Sequence, residues 1–465
     1  MIDDFLGLCG FGEKDISEKR NRVIRAFEIA GIGAEDVERG KQRIKVFFDI
    51  ELQGVRRILG IWLKEFIDLV LAKEDKKTVV YLSYPTLPEV ASTLARIPGV
   101  YASAPEVIVD VVMGQIFDKL SPTLEMAERR GLPGGYANCS VLQARVGAIE
   151  CGLIPVPDLT LTSSFLCDEA PKVDEVLLHI RHGVRVVHID GCVDDDWRLW
   201  PAVSPRRLEY FERSLRDSLD VFEQVTGQSV KEEMIVRGTE EYMGILRSCV
   251  ELNDLLETDP IPMSAIDMGV IFWLIRGAFR AILKEGLEVM SLLTEEVRKR
   301  SEKGIGKIEK NAPRILFSWA PTTDPRILRI VEESGLAVPV TSHGAVKLTS
   351  LGYGDKEFSS VYQKIATSAL SRAVRHSIIS VAQEMLRLVK DWGLDGAIAA
   401  YHFSDRCACV FGPITKEVLT AQNIPTLLLE YDQYDTRSYT PESMRTKIET
   451  FAQMLKMKKE QAKSE

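Results

Sequence analysis

Two stretches far apart in the chain read out the same order of elements, and that repetition limits the fold more than any other feature. Pro157 to Asp196 (PDLTLTSSFLCDEAPKVDEVLLHIRHGVRVVHIDGCVDDD) and Leu394 to Asp435 (LDGAIAAYHFSDRCACVFGPITKEVLTAQNIPTLLLEYDQYD) each give a strand, a cysteine, a helix, a strand and an acidic loop. In both, a cysteine precedes a strand-end aliphatic residue by 22 positions: Cys167 before Ile189, and Cys407 before Leu429. A strand returning through a helix of this length pairs in parallel with the one before it. Any two such units share this grammar, so the spacing argues for two similar lobes rather than for a site. The expected fold is α/β, with two Rossmann-like (flavodoxin-like) lobes built on parallel sheets, plus helical N-terminal and connecting segments.

Residues 1–75 carry helical apolar spacing (Val23, Ala26, Phe27, Ile29, then Ile58, Leu63, Phe66, Ile67, Val70) and are expected to form a helical N-terminal segment. The first lobe is expected over 76–203, opening with the strand Thr78 to Ser83 and a helix from Leu87 to Ile97. Residues 204–308 read as a helical connection, periodic over Leu208 to Val225 and Ala265 to Arg300. The second lobe, 309–465, has a strand at Arg314 to Phe317, a helix at Asp324 to Ser334 and a strand at Leu336 to Val340. It closes with a helix, Met444 to Met457, whose Ile448, Phe451 and Leu455 share a core-facing stripe.

Charge and hydropathy exclude several classes of function. With 59 basic and 68 acidic residues the net charge is −9, so neither nucleic acid nor anionic lipid is an expected partner. The opening MIDDFLGLCGFGEKD lacks the basic and apolar regions of a secretory signal. The most apolar stretch, Met268 to Leu283, is interrupted by Arg276 and Arg280, short of the roughly 20 residues that a bilayer requires. A cytoplasmic protein without membrane attachment is expected. Its eight cysteines are then thiols for metal or catalysis rather than a disulfide frame.

Ligands of open parallel sheets bind beyond the carboxyl ends of the strands. Cys167, Cys192 and Cys407 each follow an expected strand there, and Cys139 sits just before the helical run Val141 to Ile149, where a thiolate feels the positive helix end. Thiolates are soft, charged ligands, and an iron-sulfur cluster needs several of them converging on one sheltered cavity. No compact CxxCxxC run is present. A zinc-stabilised α/β binding protein is the competing metal reading, although the single residue between Cys407 and Cys409 suits zinc spacing poorly. Cys249 lies in a helical run and reads as structural, and Cys9 has no assigned role. His179 and His182 read as solvated, whereas His402 lies five residues before Cys407.

Several segments carry a resemblance: Asn138-Cys139-Ser140, Gly152 to Leu159 (GLIPVPDL), Ser163 to Asp168 (SSFLCD) with Lys172, His402 to Cys407, and Asn423 to Asp432 (NIPTLLLEYD) with Arg445, Ile448, Glu449 and Phe451. Together they resemble the 2-hydroxyacyl-CoA dehydratase and benzoyl-CoA reductase family, including its double-cubane cluster relatives, from about Thr78 to Leu455. The resemblance implies a 4Fe-4S cluster held by Cys139, Cys167 and Cys407 and reduced by an ATP-hydrolysing iron-sulfur activator protein. It also implies a homodimer, or a heterodimer with a homologous subunit. In the dehydratases the open iron binds the thioester, and one electron makes a ketyl radical from which hydroxide leaves; the reductases deliver electrons to their substrate. Cys192, Cys409 and Cys151 depart from the simple dehydratase pattern, and six thiolates suit a double-cubane 8Fe-9S cluster acting on a small molecule. If Val141 to Ile149 is one straight helix, Cys151 lies about 18 Å from Cys139 and a different sixth ligand is required. The alternative within the family is a non-catalytic or electron-transfer subunit whose partner binds the acyl-CoA. Ser140, Ser163, Ser164 and His402 adjoin proposed ligands and are the candidate cavity residues; the serines equally suit helix caps. Asp168 reads as a residue of a helix N-terminus, and no general base is assigned.

Overall fold

In the computed structural model the described residues are 1–84, 87–135, 138–165, 167–192, 200–277, 279–318, 324–341, 357–373, 376–405 and 408–464. The chain opens with helices α1 (Ile2–Leu8), α2 (Glu13–Ile29), α3 (Ala34–Phe47) and α4 (Gln53–Val70). The first lobe follows as β1 (Thr78–Ser83), α5 (Pro88–Leu94), β2 (Val100–Ser103) and α6 (Pro105–Val109). The last of these runs on as a π-helix over Asp110–Ile116. Then come α7 (Ser121–Arg129), α8 (Ser140–Glu150), β3 (Leu159–Ser163), α9 (Glu169–Ile180) and β4 (Arg185–Ile189). Long helices α10 (Pro205–Thr226), α11 (Glu232–Leu255), α12 (Ala265–Gly277) and α13 (Phe279–Glu302) lead to the second lobe. That lobe is β5 (Arg314–Phe317), α14 (Pro325–Glu333), β6 (Ala337–Thr341), α15 (Val361–Leu370), α16 (Ile378–Asp391), β7 (Gly396–His402), α17 (Ala408–Thr420), β8 (Thr426–Tyr431) and α18 (Pro441–Ser464).

The expected pair of parallel sheets is present, in the orders β2-β1-β3-β4 and β6-β5-β7-β8, with every pairing parallel. These are the same order once the second set is renumbered, so the repeated segments β3-α9-β4 and β7-α17-β8 occupy equivalent places. In each sheet the connections leave in opposite directions at the central pair, β1/β3 and β5/β7, and such switch points open a crevice beyond the strands' carboxyl ends. The central strands are apolar because helices cover both faces: β3 is buried throughout and β1 in all but its first residue. The edge strands β4 and β8 are partly exposed.

Helix α8 leads into β3, so it runs antiparallel to the strands and its first residues stand at their carboxyl edge. It is set deep against α7, since a Cβ at Gly147 would collide with the Thr123 carbonyl. The segment expected to be helical, 265–300, is helical at each of its described residues, in α12 and α13.

Candidate functional site

The sequence of α8 places Cys139 at its N-cap, with φ −66° and ψ 127°. The Cys139 backbone N–H donates to Glu169 Oε2 at 2.8 Å, which ties this cap to the first turn of α9. Its sulfur faces the other lobe: Sγ lies 3.3 Å from Nε2 of His402, the last residue of β7. Both residues are buried. The Gln433 backbone N–H donates to His402 Nδ1 at 3.0 Å, so Nδ1 is the acceptor and the ring proton resides on Nε2, aimed at the sulfur and at Ser404 Oγ.

Asp432, one residue past β8, anchors the same junction. It is buried and accepts from Ser140 Oγ at 2.5 Å, Ser404 Oγ at 2.6 Å, and the backbone N–H groups of Tyr434 and Asp435 at 3.0 and 2.9 Å. Burial pushes its carboxyl up, but the two hydroxyls and the Asp435 amide that donate to it help hold the group below its usual range. The Ser140 bond therefore joins the start of α8 in one lobe to the strand-end carboxylate of the other.

Cys167 lies between β3 and α9 and is half-buried; its sulfur takes hydrogen bonds from the Glu169 and Ala170 amides. Cys409 is in the first turn of α17. Burial raises all three thiols, and Asp405 and Glu169 push each in the same direction. At Cys139 the carboxyls of Asp432 and the Cys167 thiol add to this, so the helix N-terminus does not ionise the thiol as its position alone suggests. Thiols crowded by carboxyl groups are donors whose ionisation a bound cation would favour. That donor chemistry fits a multi-iron centre. Cys407 lies outside the described residues, and among the described residues no three His, Cys, Asp or Glu side chains are grouped to hold a single metal ion.

The other candidates separate clearly. Cys151 is the C-cap of α8 and is exposed, twelve residues and about 18 Å from Cys139 and at the opposite edge of the sheet. It is not brought to the site. Cys192 is exposed just past β4, near Tyr210, at the correct edge. Cys249 is buried within α11, and Cys9 is buried against α4, where its carbonyl would meet a Cβ at Gly60. Ser163 is buried at the end of β3. Ser164 binds Asp190 through its hydroxyl at 2.9 Å and so closes the β3–β4 edge instead of facing His402. His179 and His182 are exposed at the far end of α9. Asp432, Ser404, Glu169 and Gln433 are the additional members. Of these, Asp432 follows a strand end in an acidic loop, the signal that singled out the cysteines.

A small cleft adjoins this junction between the two lobes, lined by Gln115, Ser121, Asp324, Gln433, Tyr434 and Thr436 among others. Gln433 thus borders the cleft and also orients His402. The family model described as 2-hydroxyglutaryl-CoA dehydratase, D-component, matches residues 103–455. The chain belongs to this family. It is a 2-hydroxyacyl-CoA dehydratase-type component, and the matched span includes every residue of the Cys139–His402 junction. No curated protein matches the chain. Among the described residues of this dehydratase-type component no helix is long and apolar enough to cross a membrane.

Proposed function

We propose that this chain is the iron-sulfur catalytic component of a 2-hydroxyacyl-CoA dehydratase or related low-potential reductase. In this reading Cys139, Cys167 and Cys407 hold a 4Fe-4S cluster between the lobes, and an ATP-hydrolysing activator protein supplies its electrons. The observation that supports it is the 3.3 Å approach of Cys139 Sγ to His402 Nε2 across the lobe boundary, beside the half-buried Cys167 thiol. When bound, such a cluster supplies a low-potential electron and an iron with an open position for a substrate oxygen. The protein's own residues do the rest. His402, its tautomer set by Gln433, donates from Nε2 to the Cys139 sulfur and orients it, and hydrogen bonds to ligand sulfur tune reduction potential. Asp432 holds Ser140 and Ser404 in place, which fixes the start of α8 against the second lobe. Burial of the junction keeps water from the reacting centre.

Cys409, which shares the field of Asp405 and Glu169, and Cys192, at the correct edge, are the residues that would extend the set to a double-cubane cluster. A second reading is supported by the family description, whose D-component is one part of an assembly. There the chain serves a homologous partner subunit that binds the acyl-CoA. Anaerobic purification with iron and sulfide quantification tests the main reading, and Mössbauer spectroscopy reads the nuclearity. About four irons per chain support one cubane and about eight a pair. Iron near zero, or zinc in its place, overturns the proposal. Turnover by the isolated chain with its activator decides against the subunit reading.

A further inference from the structure

A second polar cluster lies beneath the site, in the first lobe, and none of its members belongs to the ligand set. Helix α6 starts directly after β2, at the carboxyl edge of the sheet, and passes at Asp110 into the π-helix. Glu106 and Asp110 are four residues apart and so lie on one face of this segment. Both are fully buried. Among the described residues neither carboxylate oxygen of Asp110 has a hydrogen-bond partner, and the same holds for Glu106 Oε2, Ser83 Oγ and Arg145 Nε. So many unmatched donors and acceptors in one interior are a place for internal water and a titrating proton.

The surroundings decide which carboxyl carries that proton. Glu106 accepts from the Tyr84 backbone N–H, and Arg145 on α8 stands 4.0 Å from the same oxygen. Arg145 is itself drawn to Asp174 on α9 at 2.6 Å. The carboxyls of Glu106 and Asp432 both disfavour charge on Asp110, and among the described residues no cation offsets them. Among the described residues, the other elements packed on this segment bring no free charge towards it. On α3, Arg43 is bonded to the Gln115 carbonyl; on α4, Glu65 takes the Ala281 amide; on α12, Asp267 takes the Asp49 amide; and Tyr81 of β1 donates to the Pro155 carbonyl. An uncompensated buried carboxylate costs several kcal/mol, roughly, and neutralises by binding a proton instead.

We propose that Glu106 and Asp110 form a proton-binding site in which Asp110 is the occupied member at neutral pH, coupled through Asp432 to the charge in the crevice. Negative charge arriving in the crevice tightens the proton, and positive charge loosens it; by linkage, the proton's presence favours anions at the site. Burial and the neighbouring carboxyls raising Asp110 well above the carboxylate range agree with this. The site does not depend on the iron-sulfur reading, so proton occupancy and metal content can fail separately.

Infrared spectroscopy of the full chain tests it. At pH 9, where Asp267, pushed up to about 8, is ionised, wild-type protein should keep a carboxylic-acid carbonyl band that moves when aspartate is ¹³C-labelled. The band should vanish in Asp110→Asn. In Asp432→Asn its titration midpoint should fall by about half a pH unit or more, since a unit corresponds to tenfold in proton affinity. No labelled acid band in the wild type, or a band that survives Asp110→Asn, overturns the site. A midpoint unmoved by Asp432→Asn overturns the coupling. The wild-type label and Asp432→Asn arms stand even if Asp110→Asn fails to fold.

Discussion

The two sheets share one strand order, yet the helices around their third strands are secured by opposite chemistry. In the first lobe, α8 and α9 meet through the fully buried Arg145–Asp174 pair at 2.6 Å, with the Thr162 hydroxyl of β3 donating to Asp174. In the second lobe, the equivalent α16 and α17 close over the sheet with Met385, Leu388, Val389 and Leu419 packed on Leu316 and Ala397. The charged solution sits in the lobe that carries Cys139 and Cys167, and the apolar one in the lobe that carries His402 and Asp432. A buried pair has direction and length that packing lacks, so it fixes the axial position of α8 and hence of its N-cap sulfur. Its partners are costly to separate.

The sharpest test of this contrast is metal content. Cys139→Ala or Cys167→Ala should take anaerobically measured iron from about four per chain to near zero, while Cys151→Ala leaves it unchanged. Equal loss in all three variants would break the assignment of sides to the α8 helix. Next in size is Arg145→Met, which strands Asp174 and Glu106 and should cost about 3–5 kcal/mol in urea unfolding. Leu316→Ala in the second lobe, a cavity under the α16–α17 pair, should cost about 2–4 kcal/mol. Hydrogen exchange should then localise the first change to α8 and α9 and the second to sheet β6-β5-β7-β8.

Asp432→Asn sharpens the comparison through pH. Its carboxyl is depressed in the folded state, so it stabilises the protein above the ordinary carboxylate range near 4, and that contribution disappears as pH falls through the folded value. The variant should therefore be less stable than wild type at pH 7, and the gap should close in urea titrations as pH falls below the ordinary carboxylate range. Ser140→Ala, which removes one hydrogen bond to that carboxylate, is the smallest change, about 1.5–3 kcal/mol.

Legibility in the sequence followed the range of the forces involved. Thr78–Ser83 and Arg314–Phe317 were readable residue for residue because buried parallel strands are unbroken apolar runs. Strand β2 was not, since VYAS is four residues long and carries no alternation, and the π-turn at Asp110 leaves no mark in periodicity. Cysteines past strand ends were legible from the crevice rule, and the misfit of Cys151 from the rise of a helix alone. Glu169, Ser404 and Asp432 acquire their roles only through partners such as Cys139 and Ser140, 30 and 292 positions away in the chain, which no local pattern encodes.

The 3.3 Å meeting of Cys139 and His402 spans 263 positions of chain and the seam between two halves. Parting that seam by about 1 Å would carry the sulfur beyond hydrogen-bonding reach. Were the proposed cluster held here, its ligands would come from both halves, so opening the seam would pull its sulfur donors apart.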